Sequence, residues 1–300
     1  MAKSILESLK FAAWRRLVPL VLGWNWRGAK AQNLSVQNET MPVKGGTIRL
    51  RIYTPQGNGP FPVLHFFHGG GWVFGDLDTH DAPCRDLCVQ SKRIVVAFDY
   101  RLAPEYPFPI PAEDCIASLA WMKDNVKRLG GDPNAIVICG DSAGGNLAAV
   151  AAQQAQTLFP GMIKGQVLIY PVMDHCGHAQ WASYKTYGGK EYGLSHQSMT
   201  DLWEMYLRDS PSWKSGMKSH DLATPLHMKD LSGLPRTLLV LAEEDVLRDE
   251  GAEYARRLSD AGVSAKVNVY PKQVHGFFGL KPATPYKQAV ADISTWLNSN

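Results

Sequence analysis

The chain has 300 residues, of which 45% are hydrophobic and 20% are charged, and its formal net charge is +3. These values are ordinary for a globular chain that buries a substantial core. Its lysines and arginines are scattered, so a nucleic-acid-binding surface is not indicated. No apolar stretch approaches the ~20 residues that span a bilayer, so stable membrane insertion is not expected either.

The cysteine content argues against a disulfide framework. There are five cysteines, an odd number without paired motifs: Cys84, Cys88, Cys115, Cys139 and Cys176. This pattern favours reduced thiols in a cytoplasmic protein. Cys84 and Cys88 lie one helical turn apart, but no histidines follow at zinc-site spacing, so we expect buried packing and no metal site.

The N-terminus permits two interpretations. Arg15-Arg16 precede the apolar run Leu17–Leu22, and Ala29-Lys30-Ala31 resembles a cleavage site, as in a secretory signal. However, the run is short and contains Pro19, and apolar residues among the first thirteen positions recur at helical spacing. We therefore expect an amphipathic helix that lies on the folded body, with a membrane-surface role as the alternative.

Strands and helices alternate along the remaining chain. This alternation predicts an α/β fold with a mostly parallel sheet covered by helices on both faces. The first strands have no helices between them, so we expect that edge to be antiparallel. The predicted strands are 46–53, 62–68, 93–100, 136–139, 166–170, 237–242 and 265–270, and the main predicted helices are 76–90, 112–129, 146–151, 197–208, 252–258 and 285–300.

Residues 174–230 interrupt the alternation with histidines, aromatic residues, glycines and one helix. We interpret this region as an insertion over one end of the sheet. In its helix, apolar residues recur at positions i, i+3, i+4, i+7 and i+8: Met199, Leu202, Trp203, Tyr206 and Leu207. The helix could simply pack on the core, or it could line the mouth of a pocket, and both can hold at once.

One serine stands in a strand–turn–helix context. Ile136–Cys139 suits a buried strand, Gly140–Gly144 reads GDSAG, and Asn146–Ala151 suits a helix. Ser142 would project at the carboxyl end of the sheet, beside the positive end of a helix. In this context G-x-S-x-G is typical of a nucleophile elbow, and the alternative is a glycine-rich turn with an incidental serine.

A serine nucleophile needs a base within hydrogen-bond reach and an acid that orients the base. Of nine histidines, His275 follows the last strand at the elbow end, whereas His65 in a strand and His80 in a helix are interpreted as structural. For the acid, Asp245 lies in the turn after strand 237–242. Other carboxylates of the same turn remain alternatives: Glu243, Glu244, Asp249 and Glu250.

A glycine loop could stabilise a developing oxyanion. His68-Gly69-Gly70-Gly71 follows a strand, and glycines allow the backbone to approach a substrate closely. Preorganised backbone N–H groups suit this task, so Gly70, Gly71 and Ala143 are the predicted donors. The alternatives are a flexible turn and a phosphate-binding loop, but neither G-x-G-x-x-G nor G-K-[ST] is present.

Together these motifs resemble those of the hormone-sensitive-lipase-like carboxylesterases, a family of α/β-hydrolases. The segments that carry the resemblance are HGGGW at 68–72, DYRLAPEYPFP at 99–109, GDSAGGN at 140–146, EDVLRDEG at 244–251 and VHGF at 274–277. The resemblance implies an α/β-hydrolase fold of about eight strands, with Ser142 as nucleophile, Asp245 as acid and His275 as base. It also implies an oxyanion hole built from Gly70, Gly71 and Ala143. One departure is Val246, where many members have a proline.

The resemblance further implies a single domain over residues 1–300 with a helical cap formed by about 1–40 and 174–230. We expect an esterase that acts through an acyl-enzyme, without metal or cofactor, on esters with short to medium acyl chains. The expected lining residues are Tyr192, Met199, Trp203 and Phe277.

Two other functions are open: an amide or lactam hydrolase with the same triad, and a small-molecule receptor on the same fold. Retention of His275 argues against the receptor. The partner expected in all cases is a small molecule, with no nucleic acid. The last strand, 265–270, is a plausible sheet edge, so we also expect a homodimer through that edge.

Overall fold

The computed structural model describes residues 33–175, 181–208, 210, 220–279 and 283–299. The expected N-terminal amphipathic helix and Cys176 lie outside these residues. Within them, no helix has the length and apolar character required to cross a membrane. The four cysteines of the described part, Cys84, Cys88, Cys115 and Cys139, are buried free thiols.

Eight strands form one sheet in the order β1-β2-β4-β3-β5-β6-β7-β8. β1 pairs with β2, and β2 with β4, in antiparallel fashion, whereas the other five pairs are parallel. The predicted α/β architecture with an antiparallel edge is therefore confirmed. The strands are β1 (Leu34–Val43), β2 (Gly46–Pro55), β3 (Phe61–Phe67), β4 (Ile94–Asp99), β5 (Gly131–Asp141), β6 (Ile163–Ile169), β7 (Arg236–Glu244) and β8 (Ala265–Val274).

Seven α-helices lie in the described part of the chain. They are α1 (Asp81–Ser91), α2 (Ile110–Asn125), α3 (Ala143–Leu158), α4 (Ala182–Thr186), α5 (His196–Leu207), α6 (Arg248–Asp260) and α7 (Thr284–Asn298), with short 3₁₀ turns at Lys190–Tyr192 and Pro225–His227. α1 begins five residues later than predicted because the Asp76 carboxylate accepts the N–H groups of Asp78 and Thr79, which closes a turn before the helix.

The core is divided by the sheet into two apolar clusters. Along β5, Ile136 and Ile138 belong to one cluster, and Val137 and Cys139 to the other, as the two-residue period of a strand requires. Helices α2, α3 and α6 contribute to the first cluster, and α1 and α7 to the second. Because both faces are covered, β5 reads as a continuous apolar run. Ser142 directly follows β5 and therefore lies at the carboxyl edge of the sheet.

The expected cap boundary at residue 40 is wrong for the described residues of that segment. Leu34–Val43 pairs with β2 over ten residue pairs as the antiparallel edge strand β1. Its polar residues face solvent, whereas Leu34 and Val36 pack against the second cluster. Residues 174–230, by contrast, do interrupt the sheet between β6 and β7, and they include α4 and α5.

Candidate active site

Ser142 occupies the sharp turn between β5 and α3. Its backbone has φ 54° and ψ −121°, a region that side chains rarely adopt. Small neighbours make the turn possible, because a Cβ built at Gly140 would lie 2.2 Å from the carbonyl oxygen of Gly144. The turn is held against β6, since the Ser142 N–H donates to the Ile169 carbonyl at 2.8 Å.

Three residues distant in sequence meet at this turn. The Ser142 Oγ lies 2.9 Å from Nε2 of His275, and Nδ1 of His275 lies 2.7 Å from Oδ2 of Asp245. Asp245 is 1% exposed, and its Oδ1 accepts the Leu247 N–H at 3.0 Å. Since a carboxylate only accepts, Nδ1 carries the proton and Nε2 is the nitrogen that can accept from the serine. The arrangement can therefore transfer a proton from Ser142 to His275.

Three of the four alternatives for the acid bind other partners. Glu243 accepts the Lys272 N–H, Asp249 accepts the Ser183 N–H, and Glu250 accepts the Met173 N–H. Burial raises the pKa of Glu250 well above its usual value.

Among the histidines considered structural, His65 is fully buried. Its Nε2 lies 2.7 Å from the Ser118 hydroxyl, and burial lowers its pKa to about 3. A histidine kept neutral inside the sheet matches that interpretation.

The glycine loop, Gly69–Gly71, passes beside Ser142 and lines the same cavity. Gly70 has φ 122° and Gly71 has φ 60°, so both positions favour glycine. The Gly70 carbonyl accepts the Phe74 N–H at 2.8 Å. In the described part of the chain, no hydrogen bond uses the N–H of Gly70, Gly71 or Ala143. These donors are available to a ligand.

Two hydrogen bonds that were not predicted from the sequence hold the glycine loop in place. The Gly69 N–H donates to Oδ1 of Asp141 at 2.9 Å, and the Tyr100 hydroxyl donates to the His68 carbonyl at 2.8 Å. Asp141 also faces His80, which lies at the N-cap of α1 and not within the helix as predicted. Only the position of Asp141 inside the GDSAG motif could have indicated this role.

A cavity of about 280 Å³ opens above Ser142 and His275. Its polar lining comes mainly from the glycine loop, Ser142, His275, Thr79, His80 and Asp141. Its apolar wall is formed by Phe74, Tyr170, Val172, Leu194, Met199 and Leu202. Two of these residues, Met199 and Leu202, come from α5 of the insertion, so that helix both packs on the core and lines the pocket.

Of the predicted lining residues, Met199 lines the cavity, whereas Tyr192, Trp203 and Phe277 do not. Trp203 lies on the core side of α5, with its ring centroid 4.5 Å from that of Trp72. Phe277 packs against Tyr170 and Tyr270, and Tyr192 packs edge-on against Tyr187. These three aromatic side chains pack against other aromatic rings and do not reach the cavity. Leu194 and Leu202, which were not predicted, line it instead.

No group of three His, Cys, Asp or Glu side chains placed to hold a metal ion occurs among the described residues.

Comparison with known proteins gives a consistent result. A family model described as the alpha/beta hydrolase fold matches residues 64–279, well over half of the chain. The carboxylesterase NlhH of Mycobacterium tuberculosis is 38% identical over 260 residues, which cover 84% of this chain and 78% of NlhH. The carboxylic ester hydrolase LipN of the same organism is 37% identical over 255 residues, covering 83% of this chain but only 65% of LipN.

Solved structures agree with these sequence matches. The hyperthermophilic esterase of Pyrobaculum calidifontis superposes with a TM-score of 0.89 at 36% identity, covering 96% of this chain and 90% of the esterase. EstE1, a thermostable carboxylesterase cloned from a metagenomic library, superposes with a TM-score of 0.87 at 37% identity, covering 96% and 98%.

Proposed function

The chain belongs to the hormone-sensitive-lipase-like esterase family of α/β-hydrolases, and we propose that it is a carboxylesterase with a Ser142–His275–Asp245 triad. The observation that carries the proposal is the continuous chain of two hydrogen bonds, 2.9 and 2.7 Å long, from the Ser142 hydroxyl to the buried Asp245 carboxylate. The Ser142 end of this chain of hydrogen bonds lies in a cavity that a small ester can enter.

In the proposed reaction, the Ser142 oxygen attacks the ester carbonyl carbon while His275 Nε2 takes the hydroxyl proton. The tetrahedral intermediate collapses, the carbon–oxygen bond to the alcohol breaks, and His275 gives the proton to the departing alcohol. Water then attacks the acyl-enzyme by the same route, which releases the carboxylic acid and restores Ser142. The Asp245 carboxylate stabilises the imidazolium that forms in each half-reaction.

The N–H groups of Gly70, Gly71 and Ala143 are the proposed oxyanion hole. Their support is that the glycine loop borders the same cavity and that these donors have no other described acceptor. Losing one donor of this kind typically costs about 3 kcal/mol of transition-state stabilisation.

The proposed substrates are esters with short to medium acyl chains. A cavity of about 280 Å³ with a mainly apolar wall favours such chains over long ones. Residues 174–230 are the proposed cap of a single catalytic domain, since α5 supplies two residues of that wall.

Hydrolysis of a chromogenic ester series from acetate to palmitate tests this function, with wild type compared with Ser142→Ala. We expect turnover by wild type on the shorter esters and loss of nearly all of it in the variant. Equal turnover by both proteins would contradict the mechanism. Matched amides in the same assay separate an esterase from an amidase, because the latter would cleave both at comparable rates.

A two-fold dimer through β8 is also proposed. β8 ends the sheet, and its Val267 and Val269 are 39% and 48% exposed, which is unusual for large apolar side chains among the described residues. Pairing of two β8 edges would cover both valines.

A further inference from the structure

His80 binds the carboxylate that holds the glycine loop. Its Nε2 lies 3.2 Å from Oδ1 of Asp141, the same oxygen that accepts the Gly69 N–H at 2.9 Å. The His80 and Asp141 side chains are 13% and 9% exposed, and both border the cavity. Asp141 immediately precedes Ser142, so this carboxylate joins the serine turn to the glycine loop.

The hydrogen bonds around His80 are all satisfied together when both ring nitrogens carry a proton. The Thr79 hydroxyl donates its one proton to the Asp76 carbonyl at 2.8 Å and accepts the Asp76 N–H at 2.9 Å. With the Thr79 proton on the Asp76 carbonyl, His80 Nδ1, 2.9 Å from the hydroxyl, donates to it. Nε2 faces the Asp141 carboxylate, which only accepts. With both nitrogens donating, the ring is an imidazolium.

The surrounding charges favour this state. Burial alone would lower the pKa of His80, but the Asp141 carboxylate outweighs it, helped by Asp76, and the pKa is raised above the ordinary 6.5. Burial alone would raise the pKa of Asp141. The interaction with His80 outweighs this effect, and the pKa of the Asp141 carboxyl is lowered from its ordinary 3.8.

Among the described residues, the other titratable groups around the pair are neutral or paired elsewhere, and Asp99, which faces His68, pairs with Arg49. His68, at the end of β3 with its ring 5.5 Å from that of His80, has a pKa lowered by burial and by His80 itself, so it is neutral. The thiols of Cys84 and Cys139 and the phenol of Tyr170 are neutral because burial raises their pKa values. Asp81, next to His80 in the chain, is paired with Arg51 and Arg85.

We propose that His80 is a positioning residue whose imidazolium, paired with Asp141, holds the glycine loop in register with Ser142, so that turnover falls when His80 loses its proton. This rests on the proposed esterase function. Deprotonation would leave one ring nitrogen as an acceptor facing another acceptor, and it would leave the buried Asp141 carboxylate without its cation. The Gly69 anchor would then shift.

The sign of the pH effect follows from the raised pKa. The interaction is fully present below the ordinary value of 6.5 and is lost as pH rises through the higher value in the folded protein. His80 therefore controls the alkaline side of the activity profile. His275, in contrast, must be neutral to accept the Ser142 proton.

The test is the pH dependence of kcat and KM on one short-chain ester for wild type and His80→Gln. Glutamine can still donate to Asp141 but carries no charge and does not titrate. We expect the variant to lose the alkaline fall, to keep the acid fall, and to have kcat about tenfold lower, less than for loss of a whole oxyanion donor, with KM little changed. His196→Gln, an exposed histidine on α5 outside the cavity, is the matched control and should reproduce the wild-type profile.

An alkaline fall that persists unchanged in His80→Gln would overturn the proposal. A second measurement needs neither activity nor a folded variant: the ¹⁵N chemical shifts of the wild-type histidines, followed against pH. We expect one slowly exchanging ring to remain doubly protonated above pH 6.5. If every buried histidine is neutral at pH 7, the proposal fails even for an active esterase, whereas a charged His80 in a protein that cleaves no ester would refute only the esterase.

Discussion

At Ser142 the chain keeps a serine in a backbone conformation that costs about 1–3 kcal/mol. The strain persists because the surrounding hydrogen bonds leave no alternative. The Ser142 N–H donates to Ile169, and its carbonyl accepts the N–H of Asn146 at 3.1 Å. The hydroxyl is thereby fixed on the side where His275 approaches. The backbone conformation of the turn, more than the serine side chain itself, therefore determines where the hydroxyl lies.

Replacing Asp245 with Asn tests the orienting role of the carboxylate. The amide oxygen can still accept the Leu247 N–H, but an NH₂ group then faces His275 and forces Nδ1 to become an acceptor. Nε2 would carry the proton and could not take one from Ser142. We expect kcat to fall by about 10⁴-fold, with little change in the folded structure. Steady-state kinetics with a circular-dichroism spectrum checks both statements.

Asp249→Asn is the control for that substitution. Asp249 binds the Ser183 N–H and a neighbouring arginine, away from His275. Its kcat should stay within a few fold of wild type. If the two variants lose activity equally, Asp245 is not the orienting acid.

These carboxylates also mark where sequence reasoning at the residue scale stops. The order of strands was enough to bring Ser142, His275 and the 243–250 turn to one edge of the sheet. It could not choose among the carboxylates of that turn, because the choice depends on partners far away in sequence: Lys272 for Glu243, Ser183 for Asp249 and Met173 for Glu250. The family motif, not the spacing, singled out Asp245.

At the scale of elements, periodicity predicted most strands and helices but not their contacts. β1 was missed because half of its sequence, LSVQNETMPV, is polar, and β2 provides the hydrogen bonds that make it a strand. The α5 pattern predicted an apolar face, but not which of its residues contact the core and which line the cavity. Tyr206 stacks on Trp72, with ring centroids 4.3 Å apart and planes 2° apart. This packing places Leu202 on the side of α5 that faces the cavity.

Leu202 is expected to limit the length of the acyl chain. It lies directly on the glycine loop, since a Cβ built at Gly71 would be 2.6 Å from a Leu202 methyl carbon. Leu202→Ala should enlarge the cavity and raise kcat/KM for longer esters by about fourfold for each additional CH₂ that becomes buried, equivalent to about 0.8 kcal/mol. The variant should lose roughly 2 kcal/mol of stability. The chromogenic ester series and a urea titration measure the two effects.

Asp201→Ala is the matched control, because Asp201 is the exposed neighbour of Leu202 on α5. Its chain-length profile should coincide with that of wild type. An unchanged profile in Leu202→Ala as well would mean that the acyl chain lies elsewhere in the cavity.

At the scale of the whole molecule, helices cover the two faces of the sheet, and the two edge strands differ in composition. β1 ends one side with polar and charged residues, among them Glu39, which pairs with Arg128 of the segment after α2. β8 ends the other side with Val267 and Val269 on the same exposed face, between the exposed Lys266 and Lys272. Charged residues oppose the pairing of edges, whereas exposed apolar side chains favour it. We propose that the two valines make β8 the edge that binds a second copy.

In a dimer about a two-fold axis, each β8 would meet the β8 of the partner in antiparallel fashion and continue the sheet. Val269→Lys places a charge where the valine would be buried, so we expect monomers in solution while wild type has the mass of two chains by light scattering. Leu158→Lys is the control, since Leu158 is 49% exposed at the end of α3, far from β8, and should leave the mass unchanged. Because the site lies at the carboxyl ends of the strands and draws no described residue from this edge of β8, the monomer should keep its kcat. A monomeric wild type would refute the dimer without touching the chemistry at Ser142.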